Sequence, residues 1–228
     1  CPALYNSTAS ELNKLRDKAI ETNKKWAKKL HIGESTAITC VKPSGTVSQL
    51  VNSASGIHPR YNDYYIRRVR NDKKDPLSQT VIDSGVPYSS DPYNGNAWVF
   101  DFPMKAPPKA ITRKSLGPLD QLELWKHFAS HYCEHKPSMT CYVGEKDWPE
   151  VGAWVWKNFD IINGISFLPS ADEGHIYQLA PYEDISKEKY KELAKTMPKN
   201  INWSSIVEEE DFTTSSQEFA CTADQCEI

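Results

Sequence analysis

Cys221 and Cys226 lie within the last eight residues, in the run Ala220-Cys221-Thr222-Ala223-Asp224-Gln225-Cys226-Glu227-Ile228. The stretch leading to them is polar (Thr213, Thr214, Ser215, Ser216, Gln217). A structural disulfide joins two packed segments, and this pair would tie almost nothing. A zinc site needs about four ligands, and no other Cys or His cluster is near in sequence. An accessible dithiol suits thiol–disulfide exchange, because attack requires access to the sulfur. Inert tail cysteines are the alternative. A second candidate is Lys42-Pro43-Ser44-Gly45-Thr46-Val47-Ser48, in which a β-branched stretch runs through a glycine turn into a short helical pattern. Unpaired backbone N–H groups at a helix start, a glycine that admits a ligand, and Ser and Thr hydroxyls together suit a phosphate. The same residues also make an ordinary helix cap. A third is Gly56-Ile57-His58-Pro59-Arg60-Tyr61 followed by Tyr64-Tyr65-Ile66-Arg67-Arg68-Val69-Arg70, with Lys73 and Lys74 beyond. It reads as a solvated charged face or as a wall supporting a polyanionic ligand.

The elements that must position these residues follow from periodicity. Leu12, Leu15, Ala19, Ile20, Trp26, Ala27 and Leu30 recur at helical spacing, which predicts a helix over 7–30 starting near Ser10 and stopped by Gly33. Strands are expected over 36–41, 97–102, 139–143 and 161–168. Helices are expected over 76–82 (Pro76 in its first turn), 118–133, 149–159 and 185–196. Repeated alternation of strand and helix predicts an α/β fold with a largely parallel sheet or barrel. Residues 1–211 are expected to form one body and 212–228 a mobile tail.

Composition narrows the function. With 228 residues, 39% hydrophobic, 7 Trp and 11 Tyr, the chain can bury a sizeable core. A net charge of −3 argues against a general nucleic-acid or membrane-surface binder, and no apolar run is long enough to cross a bilayer. Six sparse cysteines, two of them in strand-like stretches, point to a reducing compartment, the cytoplasm. The start CPALYN has no signal-peptide pattern. A leading Cys1 fits a segment downstream of a protein-splicing element as well as an arbitrary boundary.

The three constellations, in this order, resemble ribonucleotide reductases. Val41-Lys42-Pro43-Ser44-Gly45-Thr46-Val47, Ser55-Gly56-Ile57-His58 and Tyr65-Ile66-Arg67-Arg68-Val69-Arg70 are similar to the C-terminal half of the catalytic barrel of that family. The terminal Cys221/Cys226 run looks like the shuttle-cysteine tail of its cobalamin-dependent, triphosphate-reducing branch. Leu168-Pro169 and Gln178-Leu179-Ala180-Pro181 fit that branch too. The resemblance implies the later strands and helices of a ten-stranded α/β barrel. It implies that Ser44, Gly45, Thr46, Val47 and Ser48 hold the phosphates of a ribonucleoside triphosphate. It implies that Cys221 and Cys226 carry electrons from thioredoxin to a buried active-site disulfide, and that adenosylcobalamin starts thiyl-radical removal of the 2′-hydroxyl. No Asn-Pro-Cys-Gly-Glu-like run is present, so the resemblance also implies a partner, the missing N-terminal portion that carries the radical cysteine. A branch with a separate radical-generating subunit keeps adjacent tyrosines near its C-terminus; Tyr64-Tyr65 lies elsewhere. A non-catalytic nucleotide-binding module would leave the dithiol unexplained, and a disulfide-exchange protein the turn at Ser44.

Overall fold

The computed structural model describes residues 5–44, 47–170, 178–207, 221–222 and 225–226. In chain order these form α1 (Ala9–Leu30), the one-turn α2 (Val47–Leu50), β1 (Tyr64–Asp72), α3 (Pro76–Asp83), β2 (Tyr88–Ser90), β3 (Ala97–Lys105) and α4 (Pro118–His131). Then come β4 (Thr140–Val143), α5 (Trp148–Lys157), β5 (Ser166–Pro169), β6 (Tyr182–Asp184), α6 (Lys187–Thr196), β7 (Cys221–Thr222) and β8 (Gln225–Cys226). The chain divides into two compact units, residues 1–60 with 107–173, and 61–106 with 174–228.

The first unit is built on an apolar core. α1 begins at Thr8, whose hydroxyl accepts from the Glu11 N–H at 3.2 Å while the Glu11 carboxylate accepts from the Thr8 N–H at 2.8 Å. This reciprocal cap sets the start two residues before the expected Ser10. His31, with φ 55°, ends the helix ahead of Gly33. Of the apolar stripe only Leu12 and Ala27 are buried; Leu15, Trp26 and Leu30 stay exposed. Leu12 joins Ile57, Leu122, Trp125, Phe128 and Val143 in one cluster around α4 and β4. β4 and β5 pair in parallel, from Thr140 opposite Ser166 to Val143 opposite Pro169.

Residues 36–41, expected as a strand, run beside the chain that follows α4 without joining a sheet. The Thr39 carbonyl accepts from the N–H groups of Glu134 and His135, and the Val41 carbonyl from that of Ser138. The Glu134 carboxylate in turn accepts from the Ile38 N–H. The backbone groups are thus satisfied irregularly, which removes the need for a ladder.

The second unit holds an antiparallel sheet ordered β2-β3-β1-β6. The α/β class expected from the sequence holds, but among the described residues parallel pairing is confined to β4 with β5 and an isolated bridge between Arg60 and Thr112. The nine-residue β1 is the arginine segment itself, read from sequence as a charged face. Its Tyr65 and Ile66 are buried, and its arginines find partners within the unit. A smaller cluster of Val81, Val86 and Phe100 packs α3 against β3. No helix among the described residues is long and apolar enough to cross a membrane.

Candidate phosphate turn and terminal dithiol

Ser44 ends the extended segment and Val47 begins α2; Gly45 and Thr46, between them, lie outside the described residues. The Val47 N–H donates to the Ser44 carbonyl at 3.3 Å, closing the turn. Ser44 and Val47 are exposed. Ser48 is buried, and its Oγ has no hydrogen-bond partner among the described residues. Because α2 is a single turn, its aligned dipoles sum to little. A phosphate held here would rely on hydroxyls and individual N–H groups. Two of those N–H groups are already committed: the Ser44 N–H donates to Ser55 Oγ at 2.7 Å and the Val47 N–H to the Ser44 carbonyl.

The Ser55-Gly56-Ile57-His58 segment lies directly against residues 41–44. Gly56 adopts φ +56°, and a Cβ built there would sit 3.1 Å from the Lys42 carbonyl oxygen. Glycine therefore serves both the left-handed backbone and the close approach. Ile57 is buried in the first unit's core. His58 uses both ring nitrogens, Nδ1 2.9 Å from the Ser55 carbonyl and Nε2 2.9 Å from the Thr140 N–H. Burial pushes its pKa below the ordinary 6.5, against a smaller opposing effect of the Ser55 carbonyl. Arg60, 4% exposed, donates to the Ser53 carbonyl at 2.6 Å and to Asn52 Oδ1 at 2.7 Å, just beyond α2. Lys42 Nζ reaches Ser138 Oγ at 2.9 Å. The sequence leaves this segment as either a solvated charged face or a supporting wall. It does not show that Ser55 holds Ser44, that His58 joins Ser55 to Thr140, or that Arg60 holds Asn52 and Ser53, because most of those bonds involve backbone atoms that carry no sequence signal.

The arginines of β1 are not a solvated face. Arg68, with 7% of its side chain exposed, pairs with Asp101 at 3.0 Å and Glu183 at 2.5 Å and donates to the Ala180 carbonyl. Arg70 pairs with the buried Asp91 at 2.8 Å. Arg67 donates to the Tyr182 hydroxyl at 2.9 Å. Burial raises the Asp101 pKa, with Glu183 adding to it, in spite of the attraction of Arg68.

The terminal cysteines face one another in register: Cys221 is directly opposite Cys226 across the β7–β8 ribbon. Opposed residues of an antiparallel pair have Cα atoms about 4.5–5.5 Å apart, within the span of about 4.4–6.8 Å that a disulfide bridges. Cys40, Cys133 and Cys141 are free thiols; Cys141 is buried in the apolar cluster as a small packing residue, Cys133 is half-buried, and Cys40, expected in a buried strand, is exposed. Burial raises the Cys141 pKa to about 12 and that of Cys133 to about 11, so both are held as unreactive thiols near neutral pH. Among the described residues no group of three or more His, Cys, Asp or Glu side chains could hold a metal ion.

No family model matches the chain. It is similar to adenosylcobalamin-dependent ribonucleoside-triphosphate reductases. To that of Lactobacillus delbrueckii subsp. bulgaricus it is 27% identical over 203 residues, 87% of this chain and 27% of the relative. To that of Euglena gracilis it is 28% identical over 201 residues, 86% of this chain and 27% of the relative. Its structure superimposes on a crystal structure of a B12-dependent (class II) ribonucleotide reductase with a TM-score of 0.71, at 26% identity, covering 84% of this chain and 27% of that one. The resemblance read from the motifs therefore holds over most of the chain in both sequence and fold. The chain spans about 27% of the length of these relatives.

Proposed function

We propose that this chain is the C-terminal portion of an adenosylcobalamin-dependent ribonucleotide reductase, in which it binds the substrate phosphates and returns electrons after each turnover. The observation that carries the reading is the match of 87% of the chain to about a quarter of reductases that act on ribonucleoside triphosphates. Adenosylcobalamin supplies the radical that starts the reaction. The described residues single out no contact to its corrin, so the steps assigned to this chain are those of its own side chains.

Residues 1–211 serve as part of the catalytic barrel, and 212–228 as a redox tail. Ser44, Gly45, Thr46, Val47 and Ser48 hold the triphosphate of the substrate. With the Ser44 N–H donating to Ser55 and the Val47 N–H to the Ser44 carbonyl, the hydroxyls and the remaining N–H groups of the turn make the contacts. A glycine at position 45, having no Cβ, lets a phosphate oxygen approach the backbone. Reduction of the ribose leaves a disulfide in the active site. A thiolate of the Cys221/Cys226 pair attacks it, forming a mixed disulfide and releasing one active-site thiolate. The second tail thiolate then displaces the other, so the active-site dithiol is restored and the tail is oxidised. The register of Cys221 opposite Cys226 supports this, since opposed residues of an antiparallel pair lie at a Cα separation that a disulfide can span. Thioredoxin, a dithiol protein, reduces the tail and takes up the disulfide. The radical cysteine and the first half of the barrel are supplied by the rest of the reductase. Purified alone, in the cytoplasmic conditions expected for it, the chain turns over no substrate.

The test uses the complete reductase with Cys221→Ser or Cys226→Ser. Steady turnover with thioredoxin should vanish, one round of reduction by pre-reduced enzyme should survive, and a small dithiol should partly restore turnover. Loss of the single round together with steady turnover would place these cysteines in the chemical step and end the shuttle reading.

A further inference from the structure

We propose that His58 is a positioning residue for the phosphate turn: as the neutral ring carrying its proton on Nδ1, it couples Ser55, which holds Ser44, to the first residue of β4. The inference rests on the reading of residues 44–48 as the phosphate site.

The tautomer follows from the partners. A carbonyl oxygen only accepts, so the nitrogen 2.9 Å from the Ser55 carbonyl, Nδ1, must bear the proton. A backbone N–H only donates, so Nε2, 2.9 Å from the Thr140 nitrogen, must be bare. Neither the other tautomer nor the cation satisfies both bonds. The depression of the His58 pKa by burial agrees with a ring kept neutral.

The two anchors differ in rigidity. Thr140 is 3% exposed, opens β4, and is paired in the parallel ladder with Ser166. Ser55 lies in the loop that returns from α2, next to Gly56 in its left-handed conformation. Ser55 is bonded from both sides, its carbonyl by His58 and its Oγ by the Ser44 N–H at 2.7 Å, with Ser44 Oγ 3.4 Å away. A continuous path of hydrogen bonds thus runs Ser44–Ser55–His58–Thr140, from the exposed turn to the core of the first unit. Arg60 fixes the far end of α2 through Asn52 and Ser53. The Ser44 end of the turn is thus held by the Ser55 side chain, and the segment just after α2 by Arg60.

Loss of one link should loosen the turn without unfolding the unit. A net hydrogen bond is worth about 0.5–1.5 kcal/mol, which is roughly a two- to tenfold change in affinity. His58→Gln can still accept from Thr140 but loses the bond to Ser55; His58→Asn can still donate to Ser55 but loses Thr140. In the complete reductase each should raise the Kd for ribonucleoside triphosphate about two- to tenfold. The single-turnover rate at saturating nucleotide should be unchanged. Ser55→Ala should do the same, and Ser55→Ala combined with His58→Gln should be no worse than the weaker single variant, because both cut one path. Side-chain nitrogen NMR of the unsubstituted enzyme should find the proton on Nδ1, a measurement that does not depend on any variant folding. A proton on Nε2, or His58 and Ser55 effects that add in full, would overturn the inference. Gly45→Val separates it from its premise. If Gly45→Val weakens nucleotide binding while the His58 variants bind normally, the phosphate site stands and the positioning role is lost. If Gly45→Val binds normally, the site reading itself fails, and this inference with it.

Discussion

Trp125 in the first unit and Arg68 in the second are both nearly buried, at 0% exposure for the residue and 7% for the side chain, and they hold their units by different physics. Trp125 fills the centre of an apolar cluster with Leu122, Phe128 and Val143, and its single polar atom donates to the Pro137 carbonyl at 3.3 Å. Arg68 links three strands, β1 through its own backbone, β3 through Asp101 and β6 through Glu183. The apolar cluster of the second unit is small, and charge and stacked rings (Tyr61 on Tyr182, centroids 5.1 Å apart) take its place. An apolar core is indifferent to salt and to the protonation of carboxylates; an ion-paired sheet is not.

The largest effect expected from breaking this contrast is at Trp125. Trp125→Ala should destabilise the first unit by about 3–5 kcal/mol, the cost of an emptied aromatic site. Urea unfolding should show this with little dependence on salt. A loss below about 1 kcal/mol would mean that the cluster collapses around the gap.

Arg68→Ala comes next. Removing the cation leaves Asp101 and Glu183 side by side, and breaking a buried pair costs about 3–5 kcal/mol. Both carboxylates are about a third exposed and can rehydrate, so about 2–3 kcal/mol is expected. The loss should shrink in Arg68→Met combined with Asp101→Asn, and unlike the Trp125 effect it should change with salt. A salt-independent loss would show that packing of the long side chain dominates.

The smallest effect sharpens the comparison from the other side, because the first unit also carries one titrating polar link. His58 is neutral in the fold with a pKa pushed below 6.5. Its contribution to stability is complete above 6.5 and is lost as the pH falls from there through the folded pKa, since the unfolded chain takes up the proton first. Thermal melts between pH 7 and pH 5 should show this loss in the unsubstituted protein and a reduced loss in His58→Gln. Equal slopes for the two would mean that His58 does not titrate in this window.

Several features were legible from residue types and spacing. Pro118 and the Leu122, Trp125, Phe128 stripe predict a helix that is found as α4, and the Ala97 run predicts a strand found as β3. The helix follows from helical periodicity and the strand from consecutive apolar residues (Trp98, Val99, Phe100), signals that act within the element itself. The strand missed at β1 shows the limit. Its arginines suppress any apolar alternation beyond Tyr65 and Ile66, and only partners far along the chain, Asp91, Asp101 and Glu183, make those charges tolerable inside a sheet. The expectation for residues 36–41 failed in the opposite sense, since β-branched residues were present and a regular ladder partner was not.

For the candidate site, the sequence by itself determined the residue types that chemistry needs: Ser44, Gly45 and Thr46 at a turn, and two cysteines five positions apart in a polar run. It could do so because glycine's conformational freedom and the nucleophilicity of sulfur are properties of single residues. Only the tertiary structure decided that the Ser44 N–H is spent on Ser55, that His58 is held as one tautomer between Ser55 and Thr140, and that Cys221 faces Cys226 in register. Those outcomes depend on hydrogen bonds to backbone atoms, and in the case of Thr140 on a partner 82 residues away. Every residue offers the same backbone groups, so only the fold selects which of them meet.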